Sequence, residues 1–226
     1  MNARQLGIFE LVLVISIAFL PSLIKSLIFS FTGKMSDYSR LNYTDYVVWI
    51  AQGILSITLL FYVLFKNNRN YSEIGLKLKF EWKDILIGIG LMIVAGFANA
   101  ILAGLVKIIS PDFVKNATNP QNIGFLKTNL FGLLFVLMII VPIQEELIVR
   151  GYTMSEIFKL TDSKTIAIIV SVSLQFTYHL YQGIAPAIFM LPYFIIISIY
   201  FVRTGNLNPV IYSHILIDLL NLIWRK

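Results

Sequence analysis

Residues 130–151 of the chain read LFGLLFVLMIIVPIQEELIVRG. An almost uninterrupted apolar run ends in two adjacent carboxylates, Glu145 and Glu146, and Arg150 follows four residues after the second. A charged side chain at the centre of a membrane helix costs about 2.5–3.5 kcal/mol on insertion scales. Three such groups are therefore expected to pair, to line a wet cavity or to carry out chemistry. The stretch predicts a membrane helix that bears a functional polar cluster.

The composition of the whole chain favours a membrane location. Of its 226 residues, 58% are hydrophobic and 13% are charged, and the mean hydropathy is +0.80. Soluble domains carry about 25% charged residues, so the chain is predicted to be an integral membrane protein. No polar stretch is long enough for a separate soluble domain, which predicts a single membrane domain over residues 1–226.

Cysteine is absent from the sequence, which excludes thiol catalysis, disulfides and thiolate metal sites. The net charge of +6 comes from 18 Lys and Arg against 12 Asp and Glu. In a membrane protein this excess indicates topology and contact with anionic lipid. We therefore expect the lipid bilayer, and no nucleic acid, among the partners of the protein.

Seven apolar segments predict an all-α polytopic bundle of about seven membrane helices, within a range of six to eight, that encloses a site at membrane depth. Each segment is near the ~20 residues that a spanning helix needs. They lie at about 7–32, 45–65, 84–109, 129–158, 165–182, 185–202 and 208–224, and the main polar loops at 66–83 and 110–128. The first segment contains Glu10 and Lys25, which are expected to pair or to lie near the interfaces.

The distribution of basic residues predicts the orientation. With seven spans, the loops on the N-terminal side carry more Lys and Arg than the loops on the other side. Cytoplasmic loops carry the excess of Lys and Arg in membrane proteins, so the N-terminus is predicted to be cytoplasmic. The high usage of Ile, Asn and Lys resembles an AT-rich bacterial genome, which indicates a bacterial cytoplasmic membrane.

The spacing of the charged cluster indicates a division of roles. On an α-helix, Glu146 and Arg150 share one face, whereas Glu145 points about 100° away. This favours an ion pair between Glu146 and Arg150 and leaves Glu145 as a separately aimed carboxylate. Pro142 lies just before them and can kink the helix and open space for water. The alternative is that all three side chains form a buried ion pair or line the cytoplasmic end of a helix.

The two histidines of the chain lie in later apolar segments. His179 stands alone on its segment, where a hydrogen-bonded packing role is the alternative to a chemical one. His214 and Asp218 are four residues apart, so they can touch on one helix face, which also fits a structural pair. Together with Glu145, these groups can activate water by general-base catalysis and stabilise an oxyanion.

The order of these motifs resembles the CAAX protease and bacteriocin-processing family of intramembrane peptidases, also called the CPBP or Abi family. The resemblance covers residues 125–224. The first motif matches in full from Glu145 to Gly151, a histidine follows in the next segment, and His214 with Asp218 matches the last motif. The resemblance implies a helical membrane fold with a catalytic core in this half of the chain.

One position departs from the family pattern, which has phenylalanine four residues before the middle histidine. Gln175 occupies that position before His179, and the phenylalanine is its neighbour, Phe176. The departure concerns the packing beneath the site. In the first motif, the resemblance implies that Glu146 and Arg150 hold their helix in register.

The resemblance also implies the catalytic roles. Glu145 is the general base, and His179 helps it to activate a water molecule. His214 and Asp218 form the polar pocket for the developing oxyanion. Because an ionised carboxylate cannot donate a hydrogen bond, Asp218 is either protonated in its apolar setting or orients His214 as the donor.

A metal-dependent mechanism is the alternative. Two histidines and one carboxylate form a known catalytic zinc set, so Glu145, His179 and His214 are the alternative ligands. The HExxH helix signature of zinc peptidases is absent from the sequence. We therefore expect no obligatory metal cofactor.

The resemblance implies an endopeptidase that cleaves a membrane-associated peptide or lipoprotein. Family members trim the last three residues of prenylated CAAX proteins, or are linked to the maturation of bacteriocin or pheromone peptides and to self-immunity. For a chain of bacterial composition we expect the second group. One alternative is a non-proteolytic scaffold that keeps the motif for folding or partner binding. Another is a proton-coupled transporter, although no inverted repeat is evident.

Overall fold

The computed structural model describes residues 2–33, 43–117 and 131–224. Within these ranges the chain forms helices and short turns, without a β-strand, so the all-α prediction is confirmed there. The α-helices are α1 (Ala3–Thr32), α2 (Tyr43–Lys66), α3 (Trp82–Ile109), α4 (Pro111–Ala117), α5 (Phe131–Glu145), α6 (Met154–Thr161), α7 (Lys164–His179), α8 (Ile184–Thr204) and α9 (Asn208–Trp224). A π-helix (Glu146–Thr153) joins α5 to α6, and 3-10 turns occupy Tyr71–Ile74 and Leu180–Gln182.

Five helices in the described ranges are long and apolar enough to cross a membrane. They are α1, α2, α3, α8 and the continuous helix built from α5, the π-helix and α6. Each predicted apolar segment corresponds to a helix, but α7 has only 16 residues and α9 only 17. A spanning helix needs about 20 residues. The helices agree with an integral membrane protein, whereas the count of about seven spans stays a prediction.

The outer surface of the bundle is strongly apolar. Phe31, Phe65 and Ile108 are each more than four-fifths exposed, and many other large apolar side chains face outwards. An apolar surface of this extent is rare on soluble monomers and marks contact with a membrane or a partner. The surface therefore suits an environment of lipid chains.

The last helix, α9, carries His214. It is held close to α3 and to the segment that precedes α3. A Cβ atom on Gly88 of α3 would lie 2.9 Å from the backbone oxygen of Pro209, and small residues allow this close approach of membrane helices. At the start of α9, the Asn208 side chain accepts from the backbone N–H of Lys77 and donates to its carbonyl, at 3.1 and 2.8 Å. These contacts fix α9 beside the candidate site.

Two local features differ from the sequence expectations. Glu10 is bound by Lys66 on α2, with its Oε1 atom 2.7 Å from the ammonium, so Lys25 is not its partner. The predicted polar loop at 110–128 begins with a helix, α4, and its remainder from residue 118 lies outside the described residues. The pair of Glu10 with Lys66 forms because these two residues lie on the facing sides of α1 and α2.

Candidate active site

A cavity of about 690 Å³ lies between the helices of the bundle. Glu145, His179, His214 and Asp218 all line it, although they come from three helices that are far apart in the sequence. Most of the remaining wall is apolar. The structure thus brings the four predicted catalytic side chains to one cavity, while Glu146 is fully buried behind its wall.

The two glutamates lie where α5 changes into the π-helix. Glu145 is the last residue of α5, Glu146 is the first of the π-helix, and every residue of the π-helix is buried. Short π-helical segments are rare and occur often at functional sites. The helix also continues past Pro142, which cannot donate the usual backbone hydrogen bond. Where this irregular backbone begins, Glu145 lines the cavity and Glu146 lies inside the bundle.

Two side chains of α7 hold the Glu145 carboxylate. The Tyr178 hydroxyl donates to Glu145 Oε2 at 2.8 Å, and the Gln175 amide donates to the same oxygen at 3.2 Å. Phe19 of α1 stacks on the Tyr178 ring with centroids 4.4 Å apart. The amide at position 175 therefore has a clear partner, which gives a physical reason for its departure from the family pattern.

The His179 ring is oriented by its own helix. Its Nδ1 atom lies 2.9 Å from the backbone oxygen of Gln175. A carbonyl oxygen can only accept, so Nδ1 carries the proton and donates, which leaves Nε2 as the basic nitrogen of the neutral ring. Tyr178 and Phe194 flank the ring with centroids 4.6 and 5.3 Å away. The His179 ring is therefore held in one orientation beside the cavity.

Behind the cavity wall, Glu146 joins two basic side chains. Arg150 Nε lies 3.3 Å from Glu146 Oε2, which is the pair predicted from the sequence spacing, and both side chains are fully buried. His214 Nδ1 donates to Glu146 Oε1 at 2.6 Å, a contact that the sequence analysis did not predict. This short hydrogen bond fixes the His214 ring.

Asp218 does not orient His214, although the sequence spacing allows this contact. Its Oδ1 atom lies 4.0 Å from His214 Nε2, which is beyond hydrogen-bond distance. The carboxylate that orients His214 is therefore Glu146. Asp218 lines the cavity next to His214 Nε2, the ring nitrogen that does not bind Glu146.

Metal binding by the site residues is the alternative to a mechanism without a metal. Among residues 2–33, 43–117 and 131–224, no three His, Asp or Glu side chains are grouped so that they could hold a metal ion. Glu145, His179 and His214 therefore do not form a ligand set in this arrangement. The Glu145 Oε2 atom instead accepts two hydrogen bonds from protein donors.

Comparison with known protein families identifies the part of the chain that carries this site. Residues 127–220 match the family described as type II CAAX prenyl endopeptidase Rce1-like. The match includes every candidate residue from Glu145 to Asp218 and confirms the resemblance seen in the sequence. Comparison with curated proteins and with solved structures gives no match.

Proposed function

We propose that this protein is an intramembrane endopeptidase that hydrolyses a membrane-associated peptide or lipoprotein. The observation that carries the proposal is the pairing of Glu145 and His179 on one cavity wall, each held in a fixed orientation by neighbouring groups of α7. The family match over residues 127–220 supports a protease. A role in peptide maturation or bacteriocin self-immunity, in a bacterial cytoplasmic membrane, is the biological setting that we propose.

Water is the nucleophile in the proposed reaction. Glu145 removes a proton from a water molecule that also hydrogen-bonds to the basic Nε2 of His179. The resulting hydroxide attacks the peptide carbonyl carbon and forms a tetrahedral intermediate. The C–N bond then breaks as protonated Glu145 returns its proton to the leaving amine, so both carboxylate and imidazole end the cycle unchanged.

His214 is the proposed donor to the oxyanion. Its Nδ1–H is bound to Glu146, so Nε2 is the nitrogen available to the cavity. The adjacent carboxylate favours the charged imidazolium, whose Nε2–H can donate to the developing negative charge. In this proposal Asp218 completes the polar pocket, and Glu146 rather than Asp218 orients the His214 ring.

The proposal is tested with purified protein in detergent or liposomes and a set of fluorogenic membrane peptides, with products identified by mass spectrometry. We expect cleavage to continue in the presence of a strong chelator, because the site residues are not grouped as metal ligands. The control is a zinc peptidase that loses activity in the same buffer. Loss of cleavage that added zinc restores would instead make Glu145, His179 and His214 the ligands of a catalytic metal.

The two donors to Glu145 predict a measurable loss of efficiency. Tyr178→Phe keeps the ring stacked on Phe19 and removes the hydroxyl, and Gln175→Phe introduces the family residue and removes the amide. Each change is expected to lower kcat by about tenfold or more with little effect on KM, because a hydrogen bond to a charged group contributes about 1.5–3 kcal/mol. Tyr200→Phe, which lies outside the cavity, is the control. An unchanged kcat in both site variants would contradict the positioning role.

A further inference from the structure

Residues 76–83, which we call the juxtamembrane segment, run into the start of α3 and have the sequence LKLKFEWK. Apolar and charged residues alternate along it, and Glu81 is the single acidic residue against three lysines. Leu78, Phe80 and Trp82 are 70%, 66% and 61% exposed, and all three lysines are exposed as well. The segment thus presents large apolar groups together with positive charge at the end of a membrane-spanning helix.

The partner that this combination fits is the surface of an anionic lipid leaflet. Trp is enriched at the membrane–water interface, and lysines beside a membrane helix are attracted by the negative potential of anionic headgroups. The predicted orientation puts this loop on the cytoplasmic side, where that potential is found. Exposed apolar side chains continue along α3 with Leu86 and Ile87. The segment is therefore continuous with the lipid-facing surface of the bundle, which favours lipid over a soluble protein.

Three contacts fasten the segment and its immediate neighbours to residues 206–208, where α9 begins. They are the Gly75 carbonyl with the Leu207 N–H at 2.9 Å, the Lys77 backbone with the Asn208 amide, and the Asp84 carboxylate with the Asn206 amide at 2.9 Å. Asp84 and Asn206 are both buried, so the hydrogen bond between them is shielded from water. Because α9 carries His214, the position of the segment is linked to the helix that holds this residue.

The turn before the segment also contacts the π-helix, which begins with Glu146. A Cβ atom on Gly151 would lie 2.9 Å from the carbonyl oxygen of Ile74, and Ile74 is fully buried. The connection between α2 and α3 therefore packs against both elements whose side chains meet in the hydrogen bond from His214 to Glu146.

We propose that the juxtamembrane segment binds the headgroups of anionic phospholipids, and that this binding holds α9 and the π-helix in the arrangement that joins His214 to Glu146. The lysines bind the headgroup phosphate, and the exposed apolar side chains lie against the acyl chains. Lipid binding by the segment does not depend on the peptidase function. Its effect on catalysis rests on that proposed function.

Lipid binding is measured by fluorescence quenching of Trp82 in liposomes that contain brominated phosphatidylglycerol or brominated phosphatidylcholine. The chain has three tryptophans, so the Trp82 signal is taken as the difference between wild type and Trp82→Phe. Half-maximal quenching is expected at a mole fraction of phosphatidylglycerol at least about fivefold lower than that of phosphatidylcholine, because each lysine at an anionic surface changes affinity about fivefold.

The triple variant Lys77→Gln, Lys79→Gln, Lys83→Gln is expected to remove this preference, and the corresponding triple arginine variant to keep it. The hydrogen bonds with Asn208 use the backbone of Lys77, so they are retained in both variants. Lys107→Gln is the matched control, because this exposed lysine lies in the last turn of α3, at the opposite end from the segment. Thermal unfolding checks that each variant keeps the bundle intact.

The effect on catalysis is measured as kcat for peptide cleavage in phosphatidylcholine liposomes with and without phosphatidylglycerol. We expect the anionic lipid to raise kcat by up to about fivefold, since a ligand shifts an equilibrium only by its differential affinity for the two arrangements. Asn208→Ser keeps a capping side chain at the start of α9 and is too short to bind both backbone groups of Lys77. This variant is expected to bind phosphatidylglycerol as before and to lose the rise in kcat.

The possible results are distinguishable. Equal quenching by the two lipids in the wild type, or a preference that survives in the triple glutamine variant, would overturn lipid binding by the segment and leave the peptidase function standing. Displacement of phosphatidylglycerol by soluble glycerol phosphate would assign the lysines to a free phosphate and overturn it too. A lipid preference without any change in kcat would overturn the link to the site. Absence of cleavage of every peptide would overturn the proposed function, while quenching still decides lipid binding.

Discussion

Glu145→Gln is expected to lower kcat for peptide cleavage by about a thousandfold or more, because general-base catalysis contributes about 10²- to 10⁴-fold and the same group also delivers the proton to the leaving amine. The glutamine side chain has nearly the same shape and can still accept from Tyr178. The protein is therefore expected to stay folded and inserted. Glu145→Ala should lose activity to the same extent.

The measurement is single-turnover cleavage by wild type and variant, normalised to folded protein from size-exclusion chromatography and thermal unfolding. Glu81→Gln is the matched control, because Glu81 precedes α3 and its side chain makes no capping hydrogen bond there. Cleavage by Glu145→Gln at more than a tenth of the wild-type rate would mean that another group is the base. A scaffold protein would tolerate Glu145→Gln in its folding and partner binding.

Arg150→Met is expected to destabilise the protein by about 3–5 kcal/mol, the cost of leaving one member of a buried ion pair without its partner. Glu146 and Arg150 are both fully buried, so water cannot compensate for the lost charge. His214, which donates to the same carboxylate, is expected to lose its fixed orientation. Activity should therefore fall together with stability.

Thermal unfolding in detergent measures this effect, and the double variant Glu146→Gln with Arg150→Met tests its cause. The double variant is expected to be more stable than Arg150→Met alone, since it also removes the buried carboxylate that has lost Arg150, and His214 then becomes a neutral ring. Lys159→Met is the control: this exposed lysine lies 3.5 Å from Glu156, and surface pairs contribute about 0–1 kcal/mol. If Arg150→Met and Lys159→Met had equal effects, the buried pair would not be a stability determinant.

The sequence predicted the helices well, because the apolar runs are long and end at polar or glycine residues. The segments at 45–65 and 208–224 differ from α2 and α9 by at most two residues at either end. The short gap at Gly183 also corresponds to a real turn, where this glycine has a φ of +108° that other residues rarely adopt. Pro21 interrupts the first apolar segment in the sequence, whereas α1 continues through this residue.

The partners of the site residues could not be predicted to the same extent. The bond from His214 to Glu146 joins residues 68 apart in the sequence, and such a contact depends on how the helices pack. The sequence marks Gln175 only as a departure from the family pattern, and its bond to Glu145 likewise depends on packing. The π-helix has no distinct composition, so the apolar run predicted only one long helix.

The size of the cavity limits which parts of neighbouring membrane proteins can reach the candidate site. An α-helix with its side chains is 10–12 Å wide, so about 690 Å³ accommodates only about five residues of an intact helix. A longer stretch of intact helix does not fit inside this volume, whereas a chain end or an unwound segment does. For the peptidase proposed above, local unfolding of the target, rather than its sequence alone, would then control which bonds reach Glu145.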